Sequence, residues 1–134
     1  MPAKDRYHDT VKRALEKDGW EIKQDPASIR IGERFIYIDL LAENDDTEAI
    51  FIEIKGFEQT PSPITYLSNT VGQIMIYRAA LDFRQIKLPV YLAVPTDIQK
   101  GLLSEPFAKH VLRYLNIKLV IYDVDTEEII QWET

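Results

Sequence analysis

Two stretches decide how this chain is read: Phe35-Ile36-Tyr37-Ile38-Asp39-Leu40-Leu41 and Ile50-Phe51-Ile52-Glu53-Ile54-Lys55. Both are rich in β-branched and aromatic residues, and the acidic turn Glu43 to Thr47 separates them. They predict two long strands, Arg34 to Ala42 and Ala49 to Lys55, paired as a hairpin. Side chains alternate between the faces of a strand. Ile50, Ile52 and Ile54 therefore point into the core, and Phe51, Glu53 and Lys55 point the other way. Asp39 lies inside an apolar run, where a lone carboxylate is costly unless something compensates it. The pairing lets Asp39 meet Glu53, with Lys55 beside them on the same face.

Working outward, a first helix is expected, capped by Asp5, with Tyr7, Val11, Ala14 and Leu15 at helical spacing and Asp18-Gly19 as its stop. Trp20 and Ile22 are an apolar re-entry, Asp25-Pro26 is a turn, and Ile29 to Ile31 is a short strand. After Gly56, the Thr60-Pro61-Ser62-Pro63 segment reads as loop, since two prolines remove donors and fix φ. A second helix spans Thr65 to Leu81. Val90 to Val94 is a strand, Asp97 to Leu115 is helical with a break near Pro106, Lys118 to Tyr122 is a strand, and Ile129 to Trp132 is a closing strand. This order predicts a single α/β domain over residues 1–134, with a mixed central sheet flanked by helices.

Composition narrows the function. The 134 residues carry 22 acidic and 16 basic side chains, a formal net charge of -6. That excludes a general nucleic-acid coat protein, which needs unpaired lysines and arginines against phosphates, and a polybasic membrane-surface protein. With no cysteine, disulfides, thiolate metal sites and cysteine nucleophiles are excluded. The charged first eighteen residues do not resemble a signal peptide, and no apolar run is long enough to span a bilayer, so a cytoplasmic location is expected. The negative charge is local. Asp123, Asp125, Glu127, Glu128 and Glu133 follow the last basic residue, Lys118, and Glu43, Asp45, Asp46 and Glu48 cluster in the hairpin turn. The rest of the chain carries more basic than acidic side chains.

The chemistry-bearing constellation is Asp39, Glu53 and Lys55. Two carboxylates at a strand end with open positions suit Mg²⁺, which takes one or two carboxylates plus water and substrate phosphate. A lysine at the same spot can orient a water or stabilise phosphate charge. Glu and Lys alternating on a strand are equally what a solvated face carries, and Asp39 could simply pair with Lys55. Gln73 and Tyr77 stand four apart on the second helix and share a face, and Gly72 would permit close backbone approach.

Asp39, then Glu53-Ile54-Lys55 after one hairpin turn, then a helix carrying Gln73 and Tyr77, resembles the PD-(D/E)XK nuclease superfamily, with Ile38 where that motif often has proline. More specifically the chain resembles the XisH family, named for the fdxN-element excision controlling factor of cyanobacteria. The resemblance runs through Tyr7-His8-Asp9, Lys17-Asp18-Gly19-Trp20, Asp25-Pro26, Ile52-Glu53-Ile54-Lys55, Gly72-Gln73 with Tyr77, Tyr91-Leu92-Ala93-Val94-Pro95 and Ile130-Gln131-Trp132. It implies a restriction-endonuclease-like core, with Asp39 and Glu53 as Mg²⁺ ligands, Lys55 as the catalytic lysine, and Gln73 and Tyr77 in support. A first-helix acid, Asp9 or else Glu16, would approach the metal, unless Asp9 merely complements the helix dipole.

The implied function is programmed DNA excision, either as a Mg²⁺-dependent endonuclease or as a non-catalytic controlling factor. DNA, a small XisI-like protein, a site-specific recombinase and a second copy of the chain are the expected partners. Elsewhere, Trp20 and Trp132 read as packing residues or base-stacking platforms. Lys12, Arg13 and Lys17, together with Arg78, Arg84 and Lys87, read as solvated cations or a phosphate track. The loop from Phe57 to Ser68 suits a substrate or partner contact, and the acidic tail suits an edge strand open to a partner.

Overall fold

Val11, Ala14 and Leu15 recur three and four residues apart, and all three are fully buried on one side of helix α1 (His8–Lys17). The computed structural model describes residues 6–46, 48–56 and 62–134. Asp5, Thr47 and the Phe57–Pro61 part of the expected loop lie outside them; the N-cap position of α1 is Tyr7, without a side-chain cap. Strands β1 (Glu21–Gln24), β2 (Ala27–Ile31), β3 (Arg34–Ile38), β4 (Leu40–Glu43) and β5 (Ala49–Ile54) follow. Helix α2 (Pro63–Phe83) starts on Pro63, with the Ser62 hydroxyl accepting the Thr65 N–H at 3.2 Å. Then come β6 (Val90–Pro95), α3 (Thr96–Lys100), a 3-10 turn over Leu102–Ser104, α4 (Pro106–Tyr114), β7 (Lys118–Asp123) and β8 (Glu128–Glu133).

Six strands form one mixed sheet in the order β1-β4-β5-β6-β7-β8, with β5, β6 and β7 parallel and the outer pairings antiparallel. Strands β2 and β3 form a separate two-stranded hairpin. The sheet divides two cores. On one face α1 packs over Leu40, Ile50, Ile52, Ile54 and Val120. On the other, Phe51, Leu92, Val94 and Ile121 meet α2, α3, α4 and the β2–β3 hairpin. Both faces of β5 are therefore covered, which is why this strand reads as a nearly continuous apolar run.

The expected strand from Arg34 to Ala42 is in fact two strands in two sheets. Arg34–Ile38 pairs with Ala27–Ile31, and Leu40–Glu43 pairs with β5 through Leu40↔Ile52 and Ala42↔Ile50. The break falls at Asp39, whose carboxylate accepts the Ile54 N–H at 2.7 Å, and the backbone changes sheet there. The expected apolar re-entry at Trp20 and Ile22 also undersells its segment: Glu21–Gln24 is a full edge strand on β4.

The basic stripe of α1 is used inside the molecule. Arg13 forms a two-pronged pair with Glu127 at 2.9 and 2.6 Å, and Lys17 donates to the Thr126 carbonyl at 2.8 Å, tying α1 to the β7–β8 turn. Asp123 closes that turn by accepting the N–H groups of Asp125 and Thr126. Arg78 donates to the carbonyls of Leu115, at 2.6 Å, and Asn116, and Arg84 donates to that of Arg30 at 2.8 Å. These contacts fasten α2 to its neighbours.

Ile52 is fully buried beneath α1. Ile52→Ala is expected to lower unfolding free energy by about 2–5 kcal/mol. Ile130→Ala, at an exposed position of β8, is expected to stay within roughly 0.5 kcal/mol of the parent. Urea denaturation followed by circular dichroism checks both.

Candidate functional site

Alternation along β5 turns Ile52 and Ile54 toward α1 and Glu53 toward α2. Glu53 lies opposite Leu92 of β6 and is only 5% exposed. Asp39 stands at the junction of β3 and β4 and is joined to β5 twice. Its N–H donates to Glu53 Oε1 at 3.3 Å, and its Oδ2 accepts the Ile54 N–H at 2.7 Å. The structure thus brings the two carboxylates together through a backbone link, and Asp39 is engaged by the β5 backbone. The Lys55 N–H continues the parallel ladder to the Ala93 carbonyl at 2.9 Å.

The electrostatics follow from this placement. Burial, reinforced by the Asp39 charge, pushes the Glu53 carboxyl up to about 8, while the Lys55 ammonium opposes the shift. Burial likewise pushes the Tyr77 hydroxyl up, with further contributions from the Glu53 charge, a hydrogen bond to Glu53 and the Asp39 charge. Tyr77 is thereby a direct neighbour of Glu53 from across the core. Tyr66, also on α2, donates to the Gly56 carbonyl at 3.2 Å and anchors the start of that helix beside the end of β5.

Gln73 is half-buried one turn before Tyr77. Gly72 does not serve close packing: among the described residues no atom beyond its own stretch of α2 lies within 4 Å of where its Cβ would be. Asp9 is exposed on α1, the helix that covers the opposite sheet face, and its charge acts on Lys12 and Arg13, as does that of Glu16. Among the described residues no three His, Asp or Glu side chains converge, so neither first-helix acid joins Asp39 and Glu53.

A polar cluster less legible in the sequence is Asp25, which holds His8 Nε2 at 2.7 Å and Lys12 Nζ at 2.8 Å. Burial raises and these two partners lower its carboxyl, with a net shift downward. The spacing of His8 and Lys12 by one helical turn was its signal. His8 is a buried hydrogen-bonding residue there.

These features define a mixed α/β domain with a buried glutamate beside a half-buried aspartate, and a lysine at the end of a central strand. The family model described as XisH protein matches residues 1–130, and the chain belongs to the XisH family. A crystal structure of an XisH family protein from Nostoc punctiforme is 38% identical and superposes with a TM-score of 0.88, covering 97% of this chain and 100% of that one. That of a fdxN element excision controlling factor protein from Anabaena variabilis is 34% identical, with a TM-score of 0.89, over 98% and 100%. No curated protein matches the chain. No helix among the described residues is long and apolar enough to cross a membrane.

The Glu53 shift has a sign for stability. Unfolded Glu53 ionises near its ordinary value of 4.5, whereas the folded protein keeps the proton to about 8. The folded state therefore binds the extra proton within this window, and stability falls as pH rises through it. Glu53→Gln is expected to flatten that fall between about pH 5 and pH 8, where one proton contributes at most about 1.4 kcal/mol per pH unit. Thermal melts of both proteins across this range provide the check.

Proposed function

We propose that this protein acts in the excision of a DNA element and that Asp39, Glu53 and Lys55 form a Mg²⁺-dependent phosphodiesterase site on a restriction-endonuclease-like core. The relation to a fdxN element excision controlling factor protein supports the first part. One observation carries the second: a buried glutamate held against an aspartate at the end of a central strand. Two such carboxylates repel one another when ionised, and a divalent cation offsets both charges.

Asp39 and Glu53 would hold the ion, a ligand pair within the one or two carboxylates that Mg²⁺ prefers. Bound Mg²⁺ supplies Lewis acidity and lowers the pKa of water. Lys55 orients the attacking water and balances negative charge on the phosphate as water adds to phosphorus, the bond to the sugar oxygen breaks and that oxygen takes up a proton. Tyr77 fixes the Glu53 carboxylate through its hydrogen bond, and Gln73 supports the DNA-facing side of α2. Asp9 has no part in this reading. A small XisI-like protein and a site-specific recombinase, as the resemblance implies, would supply target choice, and a homodimer would address two strands.

A second reading, a non-catalytic controlling factor that steers a recombinase, is favoured by a different observation. Lys12 and Arg13 are paired with Asp25 and Glu127 within the chain, which offsets part of the positive charge on α1 that DNA would need.

Supercoiled and branched DNA, incubated with the protein alone and with its partner, with and without Mg²⁺, separates the two. The enzyme reading expects Mg²⁺-dependent nicking that falls at least roughly a hundredfold in Lys55→Ala and Glu53→Ala. Absence of cleavage in every arm, with excision in cells still requiring the protein, would leave the steering role. Independently of cleavage, Mg²⁺ is expected to raise the melting temperature of the parent near pH 8 and not that of Glu53→Gln.

A further inference from the structure

Three segments that the excision reading does not use meet at one place: Asp18-Gly19-Trp20 after α1, Tyr91 on β6 and Trp132 on β8. They line an open cavity of about 320 Å³ together with Asn44 and Glu48 from the β4–β5 turn. It lies on the α1 side of the sheet, near the start of β5, and so on the opposite face from Glu53.

Its walls are aromatic and set at different angles. Trp132 packs edge-on against Tyr91, with centroids 5.2 Å apart and planes at 88°, and tilts against Trp20 at 5.5 Å and 40°. All three rings are half-buried, so part of each remains open to solvent. The polar atoms are those of acids and an amide. Asp18 Oδ2 accepts the Trp132 indole N–H at 3.2 Å, which orients both groups. Glu48 is placed by two bonds to Asn44: its N–H donates to Asn44 Oδ1 at 3.0 Å and its carbonyl accepts the Asn44 N–H at 3.0 Å. Glu48 lines the same cavity as the rings, and its charge acts on the Tyr91 hydroxyl, secondary to burial. No lysine, arginine or histidine is among the described lining residues.

Aromatic faces carry negative quadrupole potential and attract cations, and carboxylates beside them add to the same field. Glu48 and Asp18 put negative charge beside the rings, which disfavours an anionic ligand. We propose that the Trp20, Tyr91 and Trp132 corner, with Glu48 and Asp18, is a binding site for an organic cation, a quaternary ammonium or guanidinium head group. The head group lies against the ring faces with its charge toward Glu48. A small free cation and the arginine side chain of another protein present this same chemistry.

Indole N–H signals of Trp20 and Trp132, followed in ¹H–¹⁵N spectra of the full chain, report on the site. Choline and methylguanidinium are expected to shift them saturably. The uncharged isostere of choline, 3,3-dimethylbutan-1-ol, is expected to bind roughly tenfold more weakly, because it lacks the charge that the rings and carboxylates attract. Glu48→Gln, an exposed position, is expected to weaken choline about threefold or more without altering the melting temperature, and Tyr91→Leu to remove the response. Equal binding of choline and its isostere, unchanged affinity in Glu48→Gln, or no indole shift with either cation would overturn the proposal. Acetyl-Gly-Arg-Gly-amide identifies the source: tighter binding than methylguanidinium assigns the site to an arginine of a protein partner, and equal or weaker binding assigns it to a free cation.

Discussion

The Asp39 carboxylate takes the Ile54 N–H of β5, and the Asp39 N–H reaches the Glu53 carboxylate. This two-way link ties the chain to β5 at the point where it leaves the two-stranded β2–β3 hairpin and enters the central sheet as β4. It also sets Glu53 against a second acid in a buried place. Fold and candidate site therefore depend on one junction. Replacing Asp39 by an apolar residue would relieve Glu53 of a neighbouring charge and at the same time leave the Ile54 N–H without its acceptor, two effects of opposite sign.

The sheet separates two sets of chemistry. On the α2 side lie Glu53 and Tyr77, under the hairpin and the long helix. On the α1 side lie the aromatic corner and the basic stripe that binds the β7–β8 turn. The net charge of -6 gains a structure in this arrangement. Glu127 and Asp123, in the acidic tail, serve α1 docking and turn closure, whereas Glu48, in the hairpin turn, faces an open cavity. Acids that look alike in sequence thus have unrelated roles.

Much of the fold was legible because it rests on periodicity. The three-four spacing of Val11, Ala14 and Leu15, the alternation in β5, and the prolines at 63, 89 and 106 mark elements and their ends through local sterics and burial. The meeting of Asp39 with Glu53 was legible for the same reason. The switch of sheets at Asp39 was not, because Arg34 to Ala42 satisfies strand patterning throughout and a side chain accepting a backbone N–H leaves no periodic trace. Asp9 illustrates the opposite error. It has the right residue type on the right helix, yet α1 covers the other face of the sheet, and no local pattern encodes which face a helix takes.

From the sequence alone came the α/β class, the order of elements, and the pairing of an acid in one strand with Glu53 and Lys55 in the next, since each follows from side-chain type and the two- or 3.6-residue period. Tertiary structure decided the rest: that Glu53 is buried against Tyr77, that Arg13 of α1 pairs with Glu127 and Arg78 of α2 holds the Leu115 carbonyl, and that Trp20, Tyr91 and Trp132 share one cavity. Those outcomes depend on which distant segments come within a few ångströms of each other. Burial and Coulomb interactions act on that separation and not on distance along the chain.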